Sequence, residues 1–435
     1  MNVFADRRKT LLERLDGALV LQAAPEAVRN NGVHHEYRQH SDVHYLTGFD
    51  EPGSVLVVSP KHPEHKFVLF IRKRDPETEV YDGPRPTPEQ AKEKYGVDAS
   101  YTINQFDEKI VEYLTGHQRI YYDLGTNRAF DERILRAIGA VRGKGRRANK
   151  VWPSEVVEVE RSGLHDMRLV KSDVELAIMR TAASITREAH MAAMQKAAPG
   201  LYEYEIDAII RAIFMHRGSA RVAYTPIVAS GPNATILHYH GSRRRMEAGE
   251  LLLIDAGCEY EFYASDVTRT FPVSGAFSAA QRRIYDIVLA AQMACIDAVK
   301  PGTNVDAIHQ IALKIMIQGL LEEKLLTGSF DEIIEKETYK RYCPHRTSHW
   351  IGMDVHDVGL YYVNDKPRTL EPGMVFTIEP GIYVAPDDTK VPAEYRGIGV
   401  RIEDDILVTA SGYENLTAAI PKLPDDIERV CRDAR

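Results

Sequence analysis

The sequence of 435 residues predicts an α+β protein in which a smaller α/β domain, residues 1–170, precedes a larger domain, residues 171–435. Three observations support this prediction. The length suits two domains, since domains typically contain about 100–200 residues. In the first part, short apolar runs alternate with stretches of helical periodicity. In the second part, the same succession of predicted helices and apolar runs occurs twice.

The composition excludes several classes of protein. With 44% hydrophobic and 27% charged residues, the chain is typical of soluble globular proteins, and its net charge of −8 argues against nucleic-acid binding. The N-terminal stretch "MNVFADRRKTLLERLDG" lacks the apolar segment of a secretory signal. Apolar runs fall short of the roughly 20 residues that cross a membrane. The four cysteines show no CxxC spacing, which indicates a reducing compartment. We therefore expect a cytoplasmic protein that binds neither nucleic acid nor membranes.

The first domain is predicted from the strand-like runs "SVLVVSP", "KFVLFI" and "RIYYDLG", which alternate with helical stretches. Each run is short and rich in β-branched or aromatic residues, as buried strands are. Between them, "DGPRPTPEQ" contains three prolines and several polar residues. We expect this segment to be an exposed loop.

The second domain is predicted to open with a helix at Ser172. Ser172 and Glu175 have the capping-box spacing, in which each side chain accepts a hydrogen bond from the other's backbone N–H. A second helix with the same signal begins at Ser278, with Gln281 three residues later. Each helix is predicted to end before a Pro-Gly pair, in "AAPG" and in "VKPG".

The helices belong to a longer internal repeat. The stretch "EAGELLLIDAG", residues 247–257, aligns in register with "EPGMVFTIEPG", residues 371–381, and Asp255 falls on Glu379. A second acid follows in each copy, Asp266 in the first and Glu403 in the second. One acid at a strand end is usually solvated, but four acids placed by a duplication indicate a shared site. The domain is therefore predicted to contain two helix–helix–strand units.

The four acids raise a problem of charge. Burying ionised carboxylates without partners is costly, and clustered carboxylates repel one another. Two divalent cations would neutralise four such groups. The stretch "HRTSHWIGMDVHDVG" adds three histidines just before the second acid-bearing strand. Ligands of carboxylate and imidazole without thiolate favour Mn²⁺, with Co²⁺, Fe²⁺ and Zn²⁺ as alternatives. Two such ions about 3.5–4 Å apart can activate a shared water for hydrolysis.

Four stretches together resemble aminopeptidase P, the Xaa-Pro aminopeptidases among the pita-bread metallopeptidases: "IDAGCEYEFYASDVTRTFPVSG", "SHWIGMDVHDVG", "EPGMVFTIEPGIYVAP" and "YRGIGVRIEDDILVT". The N-terminal "SDVHYLTGFDEPGSVLVVSP" resembles that family's first domain, so the similarity covers nearly the whole chain. It implies a creatinase-like α/β domain in residues 1–170 and a pita-bread catalytic domain with two metal ions in residues 171–435. The internal repeat fits the pseudo-twofold symmetry of that fold.

The resemblance also implies an activity and a set of site residues. The activity is release of the N-terminal residue from Xaa-Pro-Yaa peptides, by attack of a metal-bridging hydroxide. The implied metal ligands are Asp255, Asp266, His349, Glu379 and Glu403, with Asp266 and Glu403 bridging the ions. Catalytic roles are implied for Glu379, His238, His345, His356 and Arg401. Substrate contacts are implied for Tyr224, Tyr383, His238 and His356. The resemblance further implies that His356 or His345 donates to the developing oxyanion and that Arg401 orients Glu403 or Asp255.

The resemblance further implies a homo-oligomer, either a dimer or a tetramer. The chain also departs from the family pattern at three positions. Arg346 and Thr347 stand where relatives carry Gly and a small or apolar residue, and Tyr81 stands where a Trp is expected. These departures concern substrate range and oligomeric arrangement.

Two other functions fit parts of the pattern. A prolidase would cut Xaa-Pro dipeptides with the same ligand set. A non-enzymatic pita-bread binding module would be expected to lose metal ligands, whereas all five implied ligands are present here.

Overall fold

The computed structural model describes residues 2–148 and 150–433. The chain divides into two compact units, Met1–Met167 and Arg168–Arg435. Within the described ranges, no helix has the length and apolar composition that crossing a lipid bilayer requires. All four cysteines are free thiols in buried positions.

The first unit is built on one mixed sheet. Its strands are β1 (Ala18–Gln22), β2 (Val28–Asn30), β3 (Val33–His34), β4 (Val55–Val58), β5 (Phe67–Ile71), β6 (Ala99–Thr102), β7 (Arg119–Tyr121) and β8 (Glu155–Val157). The sheet order is β6-β5-β4-β1-β7-β8, and β2 and β3 form a separate hairpin. β4 pairs antiparallel with β1 and β5, whereas β7 pairs parallel with β1 and β8. The three predicted strand-like runs form β4, β5 and β7.

The helices of the first unit are α1 (Val3–Arg14), α2 (Ser41–Thr47), α3 (Pro76–Asp82), α4 (Pro88–Tyr95), α5 (Phe106–Leu114) and α6 (Arg128–Ala148). A further helix, α7 (Leu164–Leu169), crosses into the second unit.

The prediction of a loop for "DGPRPTPEQ" is wrong at the end of that segment, because residues 88–90 form the first turn of α4. Thr87 and Gln90 close a capping box there, and Pro88 suits the first helical position since it needs no N–H partner.

The helices of the second unit are α8 (Asp173–Lys196), α9 (Glu203–His216), α10 (Ala279–Asp297), α11 (Val305–Glu322), α12 (Phe330–Glu335) and α13 (Pro424–Asp433). The predicted starts of α8 and α10 are confirmed, with capping boxes at Ser172 and Ser278. α8 packs on α9 and α10 on α11, so the two copies share a helix–helix arrangement. Their buried faces belong to one hydrophobic core.

The strands of the second unit are β9 (Arg221–Val222), β10 (Ile227–Ser230), β11 (Leu251–Asp255), β12 (Cys258–Tyr260), β13 (Tyr263–Ala264), β14 (Thr268–Pro272), β15 (Tyr362–Val363), β16 (Lys366–Pro367), β17 (Val375–Ile378), β18 (Gly381–Tyr383), β19 (Gly399–Arg401), β20 (Asp404–Val408) and β21 (Tyr413–Asn415). Their sheets are β10-β11-β14, β17-β20-β21, β13-β12-β9, β18-β19 and β15-β16.

The duplication is visible in the pairing of the acid-bearing strands. β11 pairs antiparallel with β14, which places Asp255 opposite Thr268. β17 pairs antiparallel with β20, which places Ile378, the residue before Glu379, opposite Asp404. In each copy, the strand that leads to the first acid therefore pairs with the strand that follows the second acid. These strands are β11 and β14 in the first copy and β17 and β20 in the second.

A buried ion pair joins the two copies. Arg269 of β14 donates from Nη2 to Asp404 Oδ1 at 2.6 Å and from Nη1 to the Glu403 carbonyl oxygen at 2.6 Å. Neither the Arg269 nor the Asp404 side chain is exposed. Burial would raise the pKa of Asp404, but Arg269 and Lys422 hold it well below its usual range. The pair thus fixes the backbone of Glu403 against β14.

Replacing Asp404 by Ala should destabilise the protein strongly, because Arg269 would stay buried without its carboxylate. Loss of one partner of a buried pair costs about 3–5 kcal/mol. The free energy of unfolding in urea measures this. Asp286→Ala is the matched control, since its side chain is 50% exposed and pairs with Arg282 one turn away. That change should cost below about 0.5 kcal/mol. Equal losses in the two variants would contradict a stabilising role for the buried pair.

Candidate metal centre and active-site cavity

The predicted site residues surround one cavity of about 630 Å³ in the second unit. Those that line it are Tyr224, His238, Asp255, Asp266, His345, His349, His356, Glu379, Arg401 and Glu403. Tyr383 lies behind this wall, with its hydroxyl bonded to His345 and Arg401. The structure thus brings together residues that are up to 179 positions apart in the sequence, Tyr224 and Glu403.

The four carboxylates reach the cavity from strand ends. Asp255 is the last residue of β11, and Glu379 directly follows β17. Asp266 lies two residues before β14, and Glu403 one residue before β20. The apolar parts of these strands are fully buried, so their ends carry the acids into the interior. The segment around Glu403 is divided between two strands, because β19 pairs with β18 and β20 pairs with β17.

A close backbone contact brings the first two acids together. A Cβ atom at Gly257 would lie 1.7 Å from the Ser265 carbonyl oxygen, so only glycine allows this approach. α8 holds the same hairpin through Thr186, whose hydroxyl lies 2.5 Å from that of Ser265, and through His190, whose Nε2 lies 3.0 Å from the Ala256 carbonyl oxygen. The glycine of "DAG", directly after the apolar run, is the feature of the sequence that corresponds to this contact.

Tyr224 and Arg401 connect the acids to one another. The Tyr224 hydroxyl lies 2.5 Å from one oxygen each of Asp255 and Asp266. Arg401 donates from Nη2 to Asp255 Oδ2 at 2.6 Å and from Nε to the Thr268 hydroxyl at 3.0 Å. That hydroxyl donates in turn to Glu403 Oε2 at 2.6 Å. Arg401 therefore contacts Asp255 directly and reaches Glu403 through Thr268.

His349 faces the acids with one defined ring nitrogen. Its Nδ1 lies 3.1 Å from the Trp350 carbonyl oxygen, which can only accept, so Nδ1 carries a proton. Its Nε2 lies 3.4 Å from Asp266 Oδ2, 3.5 Å from Glu379 Oε1 and 3.9 Å from Glu403 Oε1. Ligand atoms of Asp266, His349 and Glu403 all lie within 4.8 Å of one another, a spacing that can hold a metal ion.

The electrostatics of the cluster favour a bound cation. Burial raises the pKa of Asp255 and raises that of Glu379 to about 7. Burial, together with repulsion from Asp266 and Glu379, holds the pKa of Glu403 well above its usual range. Burial alone would lower the pKa of His349, but Asp266 and Glu379 raise it to about 9. The protein alone therefore stabilises the ionised forms of these acids poorly, and the carboxylate and imidazole donors fit divalent ions that would do so.

A chain of hydrogen bonds accounts for Tyr383 and His345. Arg401 donates to the Tyr383 hydroxyl at 2.8 Å, and this hydroxyl lies 2.9 Å from His345 Nε2. His345 Nδ1 lies 2.7 Å from the Arg346 carbonyl oxygen and must donate to it. Tyr383 then donates to Nε2. Both nitrogens of His345 are thus engaged by protein groups.

The two residues that depart from the family pattern at positions 346 and 347 both contact α11. The Arg346 guanidinium pairs with Asp306, and the Tyr362 hydroxyl donates to the same carboxylate at 2.6 Å. The buried Thr347 hydroxyl lies 2.7 Å from His309 Nδ1. Arg346 also lines the cavity, so this departure changes the wall of the site itself.

Comparisons with known proteins agree with this geometry. The model of metallopeptidase family M24 matches residues 177–410, and that of the aminopeptidase P N-terminal domain matches residues 4–121. The chain belongs to metallopeptidase family M24. It is 42% identical to an Xaa-Pro aminopeptidase of Escherichia coli over 99% of this chain and 98% of the relative.

Solved structures give the same result for this M24 chain. Pseudomonas aeruginosa aminopeptidase PepP superposes with a TM-score of 0.94 at 45% identity, covering 99% of this chain and 98% of that one. Zinc-substituted Escherichia coli aminopeptidase P in complex with product superposes with a TM-score of 0.93 at 42% identity, covering 100% and 98%. The predicted family, the α+β fold with a pita-bread domain and the hydrolase class are confirmed. As a metallopeptidase the protein uses divalent metal ions, and it is an enzyme rather than a binding module.

The sequence reasoning missed the group that organises one wall of the M24 cavity. Glu203, at the start of α9, is fully buried. Its Oε1 accepts hydrogen bonds from the backbone and hydroxyl of Ser230 and from Asn233, at 2.8–3.0 Å. Its Oε2 accepts from the Tyr239 hydroxyl at 2.8 Å and from the Arg244 backbone at 3.0 Å. Glu203 thus holds the 230–244 loop, which carries the cavity residue His238 and the unpredicted His240.

Replacing Glu203 by Gln should lower the activity of the M24 site without removing its metal. The amide group would oppose buried donors, and an unsatisfied buried donor costs about 1–3 kcal/mol. The resulting shift of the loop should reduce kcat/KM on the order of tenfold to a hundredfold. Metal content by elemental analysis should be unchanged. Glu247→Gln is the control, since that side chain lies just after the loop and is 72% exposed. Wild-type kcat/KM in Glu203→Gln would disprove the role.

Proposed function

We propose that this protein is an aminopeptidase that releases the N-terminal residue from peptides with proline at the second position. The proposal is carried by the meeting of four strand-end carboxylates and His349 in one cavity of an M24 metallopeptidase. Relatives named Xaa-Pro aminopeptidase match this chain over nearly its full length, and Escherichia coli aminopeptidase P has been solved with substrate and with product.

The ligand set would hold two ions. One would be bound by His349 and Glu379, the other by Asp255, and Asp266 and Glu403 would be shared between them. Asp266 suits a shared position because it contacts Asp255 through Tyr224 and also faces His349. Divalent ions held by these residues would supply polarisation of the scissile carbonyl and a lower pKa for the attacking water. The oxygen-rich donor set favours Mn²⁺ over Co²⁺, Fe²⁺ and Zn²⁺.

Glu379 is the residue we assign to proton transfer. Its carboxylate lies at the edge of the cluster, 3.5 Å from His349 Nε2 and 3.7 Å from His345 Nδ1, and faces the cavity. From this position it can take a proton from the attacking water and return it to the proline nitrogen as the bond breaks. The partly exposed side chain keeps this path open to the substrate.

His356 is the donor that we assign to the developing oxyanion. His345 is less suited, because both of its nitrogens are engaged by Tyr383 and the Arg346 carbonyl. The His356 ring stands 4.4 Å from that of His349, edge to face, on the cavity wall. A positioned donor of this kind is worth about 10²–10³ in kcat.

The remaining walls suit a proline. Proline has no N–H and a fixed φ, so its subsite needs shape rather than a hydrogen-bond acceptor. Ile227, Leu237 and Val355 supply an apolar surface beside His238. We assign His238 and Tyr224 to substrate binding, and Tyr383 to holding His345 and Arg401 in place.

The first experiment removes metal with a chelator, restores Mn²⁺ and compares three peptides. Ala-Pro-Ala should be hydrolysed only with metal, while Ala-Pro and Ala-Ala-Ala should not be cleaved. Release of alanine is the measurement. Cleavage of the dipeptide alone would show a prolidase, and absence of turnover with every tested metal would disprove the proposal.

Two variants separate metal binding from substrate binding in that experiment. Asp266→Asn should lose bound metal as well as activity. His238→Ala should keep its metal while kcat/KM for Ala-Pro-Ala falls.

Homo-oligomer formation and a cytoplasmic location remain predictions. Val80 and Tyr81 of α3 are 81% and 88% exposed, and adjacent exposed apolar side chains often mark a protein interface. We expect a dimer or tetramer in sedimentation velocity at micromolar concentration. Val80→Ser with Tyr81→Ser should dissociate it, and a monomeric wild-type protein would disprove the prediction.

A further inference from the structure

A second cavity, of about 410 Å³, adjoins the catalytic cavity. The two share Thr225 and His240 in their walls. The second cavity is also lined by Tyr204, Arg211 and Arg243. Its walls contain none of the metal ligands or catalytic residues assigned above.

The charge in this second cavity is positive and is concentrated at Arg243. Arg211 donates from Nε to Asp207 Oδ1 at 2.8 Å, so these two charges compensate each other within the wall. The Arg243 guanidinium lies over the Tyr204 ring, 5.8 Å from its centroid. Among the described residues no carboxylate forms an ion pair with Arg243, which is exposed.

Arg243 stands on a well-fixed segment. The next residue, Arg244, donates its backbone N–H to the buried Glu203 at 3.0 Å. The Arg244 guanidinium donates to both oxygens of Glu250, at 2.5 Å each. Neighbouring groups therefore hold the backbone, while the Arg243 side chain remains available. An arginine stacked on an aromatic ring keeps its planar fork free for a carboxylate.

The occupant follows from the reaction proposed above, on which this inference rests. An aminopeptidase removes one residue, so all of the substrate beyond the proline belongs to the leaving peptide. The second cavity shares Thr225 and His240 with the catalytic cavity, and it is therefore placed to receive that part. We propose that the second cavity binds the residues after proline and that Arg243 selects an acidic side chain there.

The test compares peptides of the form Ala-Pro-Yaa-Ala and Ala-Pro-Ala-Yaa-Ala, with Glu, Gln or Lys as Yaa. With Glu, in one of the two positions, KM should be about fivefold lower than with Gln, as expected for one partly exposed ion pair of about 1 kcal/mol. With Lys, KM should be higher than with Gln. The difference should shrink as salt is raised, because exposed charges are screened.

Variants identify the residue responsible. Arg243→Ala should bring the KM ratio between Glu and Gln peptides to one, and Arg243→Glu should reverse the preference toward Lys. Asp207→Asn should strengthen the preference for Glu, because it releases the charge of Arg211. Arg245→Ala is the control, since Arg245 lies outside both cavities and bonds to the Gly200 carbonyl oxygen. Its KM ratio should equal that of wild type.

Failure of this inference can be told from failure of the proposed function. If Ala-Pro-Ala is not hydrolysed, the function itself is wrong and so is the inference built on it. If Ala-Pro-Ala is hydrolysed but Glu and Lys peptides have equal KM at both positions, the inference about Arg243 is wrong and the proposed function stands. If Arg243→Ala instead changes the preference between Glu-Pro-Ala and Lys-Pro-Ala, the cavity binds the first residue and the inference is overturned.

Discussion

The need to hold several negative charges in a buried place governs the second unit. Four carboxylates stand at strand ends inside the protein, where Arg401 pairs with Asp255 and His349 faces Glu379. Repulsion of this kind is tolerated only if the positions are fixed by other contacts and if positive charge completes the site. The contacts of Gly257, Tyr224 and Arg269 meet the first requirement. Divalent ions meet the second.

The same requirement explains why the two copies are joined by polar contacts as well as by apolar ones. The ends of β11 and β17 must approach each other although both carry acids. Arg401 of the second copy contacts Asp255 of the first, and Arg269 of the first contacts the Glu403 backbone of the second. Each arginine crosses from one copy to the other. The site is therefore assembled by the association of the copies, and each copy contributes part of the proposed ligand set.

Much of this arrangement was predictable from sequence because its signals are local or repeated. Capping boxes fixed the starts of α8 and α10, and the internal repeat placed Asp255 and Glu379 in equivalent positions. The start of α4 was missed because the prolines of "DGPRPTPEQ" suggested a loop, although Pro88 follows a capping threonine. The division between β19 and β20 has no such local signal, because the sequence does not show which partner a strand will have.

Other features could not be predicted because their partners are distant in sequence. Glu203 looks like an ordinary acid in the first turn of a helix, and only the folded chain brings five donors to it. Arg269 reads as a polar strand residue, yet its partner Asp404 lies 135 positions later. The position of Tyr383 behind the cavity wall likewise depends on β18 pairing with β19. Such residues have no pattern of their own in one sequence.

The attachment of the 230–244 loop to Glu203 has a consequence for how this enzyme can change over evolution. One loop carries His238 beside the metal ligands and Arg243 in the adjoining cavity, and one carboxylate fixes its backbone at both ends. Insertions or deletions there would disturb the reaction and the recognition of the far end of the substrate together. Exchange of outward side chains such as Arg243 would leave the backbone in place. New substrate preferences are thus more accessible through point substitutions in this loop than through changes in its length.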